Sequence, residues 1–221
     1  MQKLNIVSMD LTGPRKFCCA RKRAYQEQEM MKIASSYLHG EKKYSPIILL
    51  QGDGLESKMR KIDRLSSFRV YMDSDTSSAI LIPREYNVVD WVSFSGIGSA
   101  VVVPMANHYL SLFSVSLTKK KNLGRFQYSY QSFCVPENPS YTKYQIVGGV
   151  FPSKDDMVNF SDTCGLTDIS SYFYSVSDEL QEDRYSILLS NDIGFSDITR
   201  QTGLVKEKYL KHCPISTKIS L

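Results

Sequence analysis

Residues 109–134 read YLSLFSVSLTKKKNLGRFQYSYQSFC, and the folding of this stretch decides how the rest of the chain is read. Apolar residues alternate with serine in its first half. In its second half Phe126, Tyr128 and Tyr130 alternate with Arg125, Gln127 and Ser129. Period-two patterning predicts two strands, Tyr109–Leu117 and Arg125–Cys134, joined as a hairpin through a lysine-rich tip. The apolar phase changes between Leu112 and Phe113, which predicts a bulge there.

Working outward, the same pattern predicts strands at Phe68–Met72, Ala79–Ile82, Val88–Phe94, Ala100–Val103, Tyr144–Phe151, Ser171–Val176 and Tyr185–Leu189, separated by polar clusters such as DSDTSS, SGIGS and PENPS. Helical spacing marks the region between Gly13-Pro14 and Gly40, and again Leu55–Leu65. Between these helices YSPIILLQGDG reads as a short buried strand entering a turn. SKDDMVNFSDTCG reads as a helix capped by Ser153 and stopped by Gly165, and Val205–His212 as a C-terminal helix. The expected fold class is α+β, a mainly antiparallel β-sheet domain preceded by one or two N-terminal helices. The expected organisation is a basic N-terminal arm and helix over residues 1–40 and a β-rich globular domain over 41–221. No internal repeat or low-complexity tract is present.

The chain has 221 residues and a formal net charge of +4. Its 14 tyrosines and 10 phenylalanines supply the apolar surface a core needs, which excludes a disordered protein. No apolar run is long enough for a spanning helix, and residues 1–16 lack the long apolar stretch of a secretory signal, so none is expected. The five cysteines are odd in number and form no CxxC pair, which fits a reducing, cytoplasmic or nuclear setting. Charge is unevenly placed. Residues 1–64 hold 13 Lys+Arg against 7 Asp+Glu, whereas residues 154–200 hold 3 against 10. Such polarity suits an anionic partner, or homo-oligomers formed through the acidic 154–200 region.

Two basic clusters are the candidate anion-binding sites. In RKFCCARKRAY, Arg15, Lys16, Arg21, Lys22 and Arg23 crowd the start of a helix, where the helix dipole disfavours cations by roughly 0.3–1 kcal/mol each. Contact with the phosphates of nucleic acid or of an anionic lipid surface would explain that placement, and a solvated face is the plainer account. A nuclear-import signal and lipidation of Cys18 or Cys19 are weaker alternatives. The second cluster is the tip formed by Lys119, Lys120, Lys121 and Arg125. Phe126, Tyr128 and Tyr130 beside it would stack on bases if that face is open and belong to the core if it is closed.

Chemistry-bearing motifs are scarce. QGDGLESK lacks the third glycine of a dinucleotide fingerprint and the GK[ST] of a phosphate loop, so it reads as a turn between strand and helix. His39, His108 and His212 lie far apart with no ligand-spaced partners, and no metal or cofactor is expected. A nucleophilic pair such as Cys134 or Cys164 with His108 would have to be assembled by the fold. The functional expectation is therefore a non-enzymatic structural or interaction protein, of the kind seen in virion matrix or RNA- and DNA-binding accessory proteins. The alternative is an enzyme with a fold-assembled Cys/His site.

Overall fold

In the computed structural model the described residues are 3–12, 20–38, 45–60, 65–72, 77–133, 142–169, 172, 185–200 and 214–221. The first half of the chain runs β1 (Lys3–Asp10), α1 (Ala20–Leu38), β2 (Ile47–Gln51), α2 (Leu55–Met59), β3 (Phe68–Tyr71), β4 (Ser78–Pro83), β5 (Asp90–Phe94) and β6 (Gly98–Met105). The second half repeats that order with β7 (His108–Ser116), α3 (Lys120–Ser132), β8 (Thr142–Val150), α4 (Lys154–Cys164), β9 (Leu166–Asp168), β10 (Tyr185–Ser190), β11 (Gly194–Arg200) and β12 (Ile215–Ser220).

The sheets repeat as well. One is ordered β11-β12-β1-β2-β4-β3 and the other β5-β6-β7-β8-β10-β9. At the centre of each lies a parallel pair, β1 with β2 and β7 with β8. Parallel neighbours need a crossover on one face, and α1 and α3 supply it. The last two strands of each half join the other half's sheet: β6 pairs with β7, and β12 with β1. Topologically the protein is one eight-element unit used twice, with its terminal strand pairs exchanged.

Three cores separate four layers. Leu4, Ile6, Ile47 and Leu49 meet Val101, Leu112, Ile146 and Ile187 between the sheets. Met30, Met31 and Ala34 of α1, with Leu55 and Met59 of α2, cover the outside of the first sheet. Phe126 and Tyr130 of α3, with Met157 and Phe160 of α4, cover the outside of the second.

This α/β/β/α sandwich replaces the expected antiparallel sheet behind N-terminal helices. Both sheets are mixed, and the first helix follows a central strand. The expected boundary at residue 40 separates β1 from β2, which are paired throughout the length of β2. The expected hairpin at 109–134 is corrected: its first strand is β7, but its second is the helix α3. Leu123, Phe126, Tyr130 and Phe133 recur at helical spacing and point into the outer core. The expected bulge at Leu112-Phe113 is absent, because β7 pairs with β6 without a register break from His108 to Val115. The apolar phase shifts there because a central strand is buried on both faces. Ser171–Val176, apart from Tyr172, and Val205–His212 fall outside the described residues.

Candidate active site at the carboxyl ends of the parallel strands

In α/β sheets ligands bind beyond the carboxyl ends of parallel strands, where loops and helix starts converge. Here β1, β2, β7 and β8 all end on one edge of the sandwich, and buried polar side chains join the two sheets just below it. Gln51 Nε2 donates to Ser114 Oγ at 2.8 Å and to the Gly148 carbonyl at 3.2 Å. Ser114 Oγ donates to the Leu50 carbonyl at 2.7 Å. Tyr185 Oη donates to Ser8 Oγ at 3.0 Å, and Ser8 Oγ in turn reaches Gln51 Oε1 at 3.4 Å. Ser99, paired in register with Ser114, adds a buried hydroxyl with no partner among the described residues. Gly148 allows the sheets to approach this closely, since a Cβ there would lie 2.6 Å from Leu49 Cδ1 and 2.9 Å from Ser8 Oγ.

Above this floor the two halves present equivalent positions. The Leu11 amide donates to the Gln51 carbonyl at 2.7 Å, and the Leu117 amide to the Val150 carbonyl at 2.7 Å. Asp10 thus corresponds to Ser116, and Gln51-Gly52-Asp53 to Val150-Phe151-Pro152. The first half carries carboxylates and an amide where the second has a serine hydroxyl and the apolar Val150, Phe151 and Pro152. Asp10 is a buried carboxylate whose Oδ1 accepts the Thr12 amide at 2.8 Å, a local turn that ends β1. Lys58 Nζ donates to the Leu11 carbonyl at 2.7 Å, which sets an ammonium beside the same strand end. Gly52, at φ +141°, passes so near Leu11 that a Cβ would lie 3.0 Å from its carbonyl carbon. QGDG is indeed the turn between β2 and α2, and it contributes exposed Asp53 to the rim. Among the described residues no three His, Cys, Asp or Glu side chains converge as metal ligands. Among the described residues, Asp10 and Asp53 are the carboxylates at the ends of β1 and β2.

The sequence-predicted residues lie elsewhere or fall outside the description. Arg15 and Lys16 are outside the described residues; Arg21, Lys22 and Arg23 belong to α1, with side chains outside them too. Lys119, Lys120, Lys121 and Arg125 are exposed but occupy the start of a helix, not a hairpin tip. Phe126 and Tyr130 are unavailable for stacking: both are buried against Phe113 and Phe160, with Tyr130 Oη donating to Gln145 Oε1 at 2.5 Å. Burial, aided by the nearby Cys164, pushes the Tyr130 hydroxyl pKa up. Tyr128 alone of the three is open, at 76% exposure. Among the described residues of the acidic stretch, Asp156 accepts from Ser153 at the start of α4 and Asp168 accepts from Ser186.

Of the candidate Cys/His pairs, Cys134 is outside the described residues. His108 opens β7 at the opposite edge, its ring against Tyr144. Burial raises the Cys164 thiol from its ordinary 9.0 to about 11, the reverse of an activated nucleophile. Asp10 was missed because the first dozen residues carry no period-two pattern. The available signal was the apolar run LNIVSM closing on Asp-Leu-Thr, a strand followed by an Asp-initiated turn.

The sandwich is that of the endonuclease/exonuclease/phosphatase proteins. No protein-family model matches the chain, and no curated protein matches its sequence. Solved structures do match. An endonuclease/exonuclease/phosphatase from Bacteroides vulgatus aligns over 100% of both chains with a TM-score of 0.73 at 9% identity. The mannosyl-6-phosphatase of Bacteroides thetaiotaomicron aligns over 99% of this chain and 100% of its own, with a TM-score of 0.67 at 12% identity. D. rerio TDP2, complexed with a single-strand DNA product, aligns over 100% of both chains with a TM-score of 0.67 at 14% identity. Identities this low establish the fold alone.

That likeness overturns the expectation of a non-enzymatic structural protein with virion-matrix or membrane-associated character, and with it the leaning away from an enzyme. The fold is shared with a phosphatase, and the alternative's class, an enzyme, is favoured over the main expectation. Among the described residues no helix is long and apolar enough to cross a membrane. Neither binding to a lipid surface nor self-association through residues 154–200 finds support.

Proposed function

We propose that this chain is an enzyme acting on a phosphoester of a nucleic-acid strand, with its centre at the carboxyl ends of β1 and β2. The observation that carries the reading is Asp10, a carboxylate 2% exposed at the strand end where this architecture places ligands. Asp10 acts as the base that takes the proton of an attacking water. The Thr12 amide fixes its orientation by holding Oδ1. The Lys58 ammonium, anchored on the Leu11 carbonyl, offsets the charge of the phosphoryl group. Val150 and Phe151 form the apolar side of the same edge and limit water there. Enzymes of this fold include a phosphatase, and TDP2 holds single-stranded DNA, which supports a phosphoester on a polynucleotide as the substrate class.

The test is turnover of single-stranded DNA and of a small phosphate monoester by the full chain and by Asp10→Asn, which preserves shape. Removing a general base should slow turnover by about 100-fold or more. Equal turnover by the variant would remove Asp10 from the mechanism. Substrate binding by the wild type without any turnover would defeat the hydrolytic reading itself.

A further inference from the structure

We propose that the outward face of α3, formed by Lys121, Arg125 and Tyr128, is a track for single-stranded DNA leading away from the strand-end site; the track rests on the nucleic-acid reading given above. These residues are spaced i, i+4, i+7 and so share one side of the helix, over about 10 Å of its axis. All three are exposed, and Tyr128 is the most open large apolar side chain among the described residues at 76%. Gly124 lies between them, with nothing within 4 Å of where its Cβ would be, so a strand can approach the backbone there.

The sequence of α3 is poorly chosen for a helix that only covers a sheet. Its N-cap is Lys119, which makes no side-chain cap, where Ser, Thr, Asp or Asn would satisfy the first amides. Lys120 and Lys121 follow, against the helix dipole, and no acidic residue stands in the first turn. Lys120 meets Asp156 of α4 at 3.8 Å. Lys119, Lys121 and Arg125 have no ion-pair partner among the described residues. Cations left unpaired beside an exposed ring are what a single strand requires: charge along its phosphates and a platform for a base. A lipid surface would ask for several apolar side chains on the face, and this one has a single tyrosine. The position fits too, because α3 begins just beyond Leu117, whose amide bonds Val150 at the edge that carries Asp10. A strand held at that edge would pass directly onto this helix.

The experiment measures binding of an oligothymidylate of about twelve nucleotides, within the ~4–16 of known single-strand sites, by fluorescence anisotropy at several salt concentrations. The proteins are the full chain, Lys121→Gln/Arg125→Gln, and Tyr128→Ala. Tyr128→Ala should bind about tenfold more weakly. The double charge variant should lower the slope of log K against log salt by about 1–2. Unchanged affinity and slope in both variants, or a wild type that does not bind the oligonucleotide, would overturn the track. So would an equal dependence on these residues for binding anionic phosphatidylserine vesicles. Hydrolysis of the small phosphate ester by the wild type reads the Asp10 site separately. Ester turnover with stripe variants that bind normally defeats the track alone. Stripe-dependent binding without ester turnover defeats the catalytic reading alone.

Discussion

Replacing Gln51 with leucine tests whether the polar floor of the site also ties the two sheets together. Gln51 is fully buried, and its amide makes three contacts: to Ser114 Oγ at 2.8 Å, to the Gly148 carbonyl at 3.2 Å and from Ser8 Oγ at 3.4 Å. Leucine nearly conserves the volume, so packing changes little. Ser114 keeps the Leu50 carbonyl as acceptor, but Ser8 loses the acceptor for its own proton. Two sound hydrogen bonds and one long one, at about 0.5–1.5 kcal/mol each, give a loss of about 2–4 kcal/mol. For a domain of this size that is about 5–15 °C in melting temperature. Urea denaturation of Gln51→Leu, Tyr185→Phe and the double variant would measure it. Tyr185 acts on Gln51 through Ser8, so the double variant should lose less than the sum of the single ones by at least ~0.5 kcal/mol. A loss below about 0.5 kcal/mol for Gln51→Leu, or strict additivity, would refute the view that these groups act as one network.

Two further outcomes check the outer layer. Phe126→Ala should cost about 3–5 kcal/mol, because its ring is fully buried with centroids 5.2 Å from Phe160 and 6.0 Å from Phe113, while exposed Tyr128→Ala should stay within about 0.5 kcal/mol. Chemical denaturation showing equal costs would restore the strand reading of 125–134. Cys164, with its thiol raised to about 11, should be alkylated far more slowly at pH 8 than a small free thiol, as peptide mapping by mass spectrometry would show. Its linkage sign follows from the same shift: the stability it contributes is complete below the ordinary 9.0 and is lost as pH rises toward about 11.

Local structure was far more legible than topology. Strands β4, β6, β7, β8 and β10 lie within or beside the stretches where period-two patterning puts them, and α4 carries both its signals, the Ser153 cap and the left-handed Gly165 stop. The failures share one cause. A central strand between two cores is apolar on both faces, so β1 has no alternation to read and β7 shows a phase change that mimics a bulge. In α3 two periods coexist: Phe126, Tyr128 and Tyr130 alternate, yet Leu123, Phe126, Tyr130 and Phe133 fit a helix, and only the need for a parallel crossover to β8 decides between them. β12 was readable, since buried Ile215, Thr217 and Ile219 alternate cleanly with half-buried positions. Its pairing with β1, across nearly the whole chain, was not.

The site escaped sequence reading for a related reason. Asp10, Gln51, Ser114 and Tyr185 are scattered along the chain and come to one edge only because β1, β2 and β7 end there and β10 begins there. The duplication also explains why the edge is one-sided. Both halves keep the same backbone hydrogen bond at the strand end, Leu11 to Gln51 and Leu117 to Val150, so the scaffold is equivalent in both. The side chains are not: Asp10, Gln51 and Asp53 stand on one side, Ser116, Val150 and Pro152 on the other. On the proposed reading, the acid–base group among the described residues belongs to the β1–β2 side. The β7–β8 side supplies an apolar wall and, immediately past it, the cationic helix α3. On the proposed reading, a strand entering this edge would meet a carboxylate on one half and, on the other, lysine and arginine with no ion-pair partner among the described residues, and that asymmetry would give it a direction across the molecule.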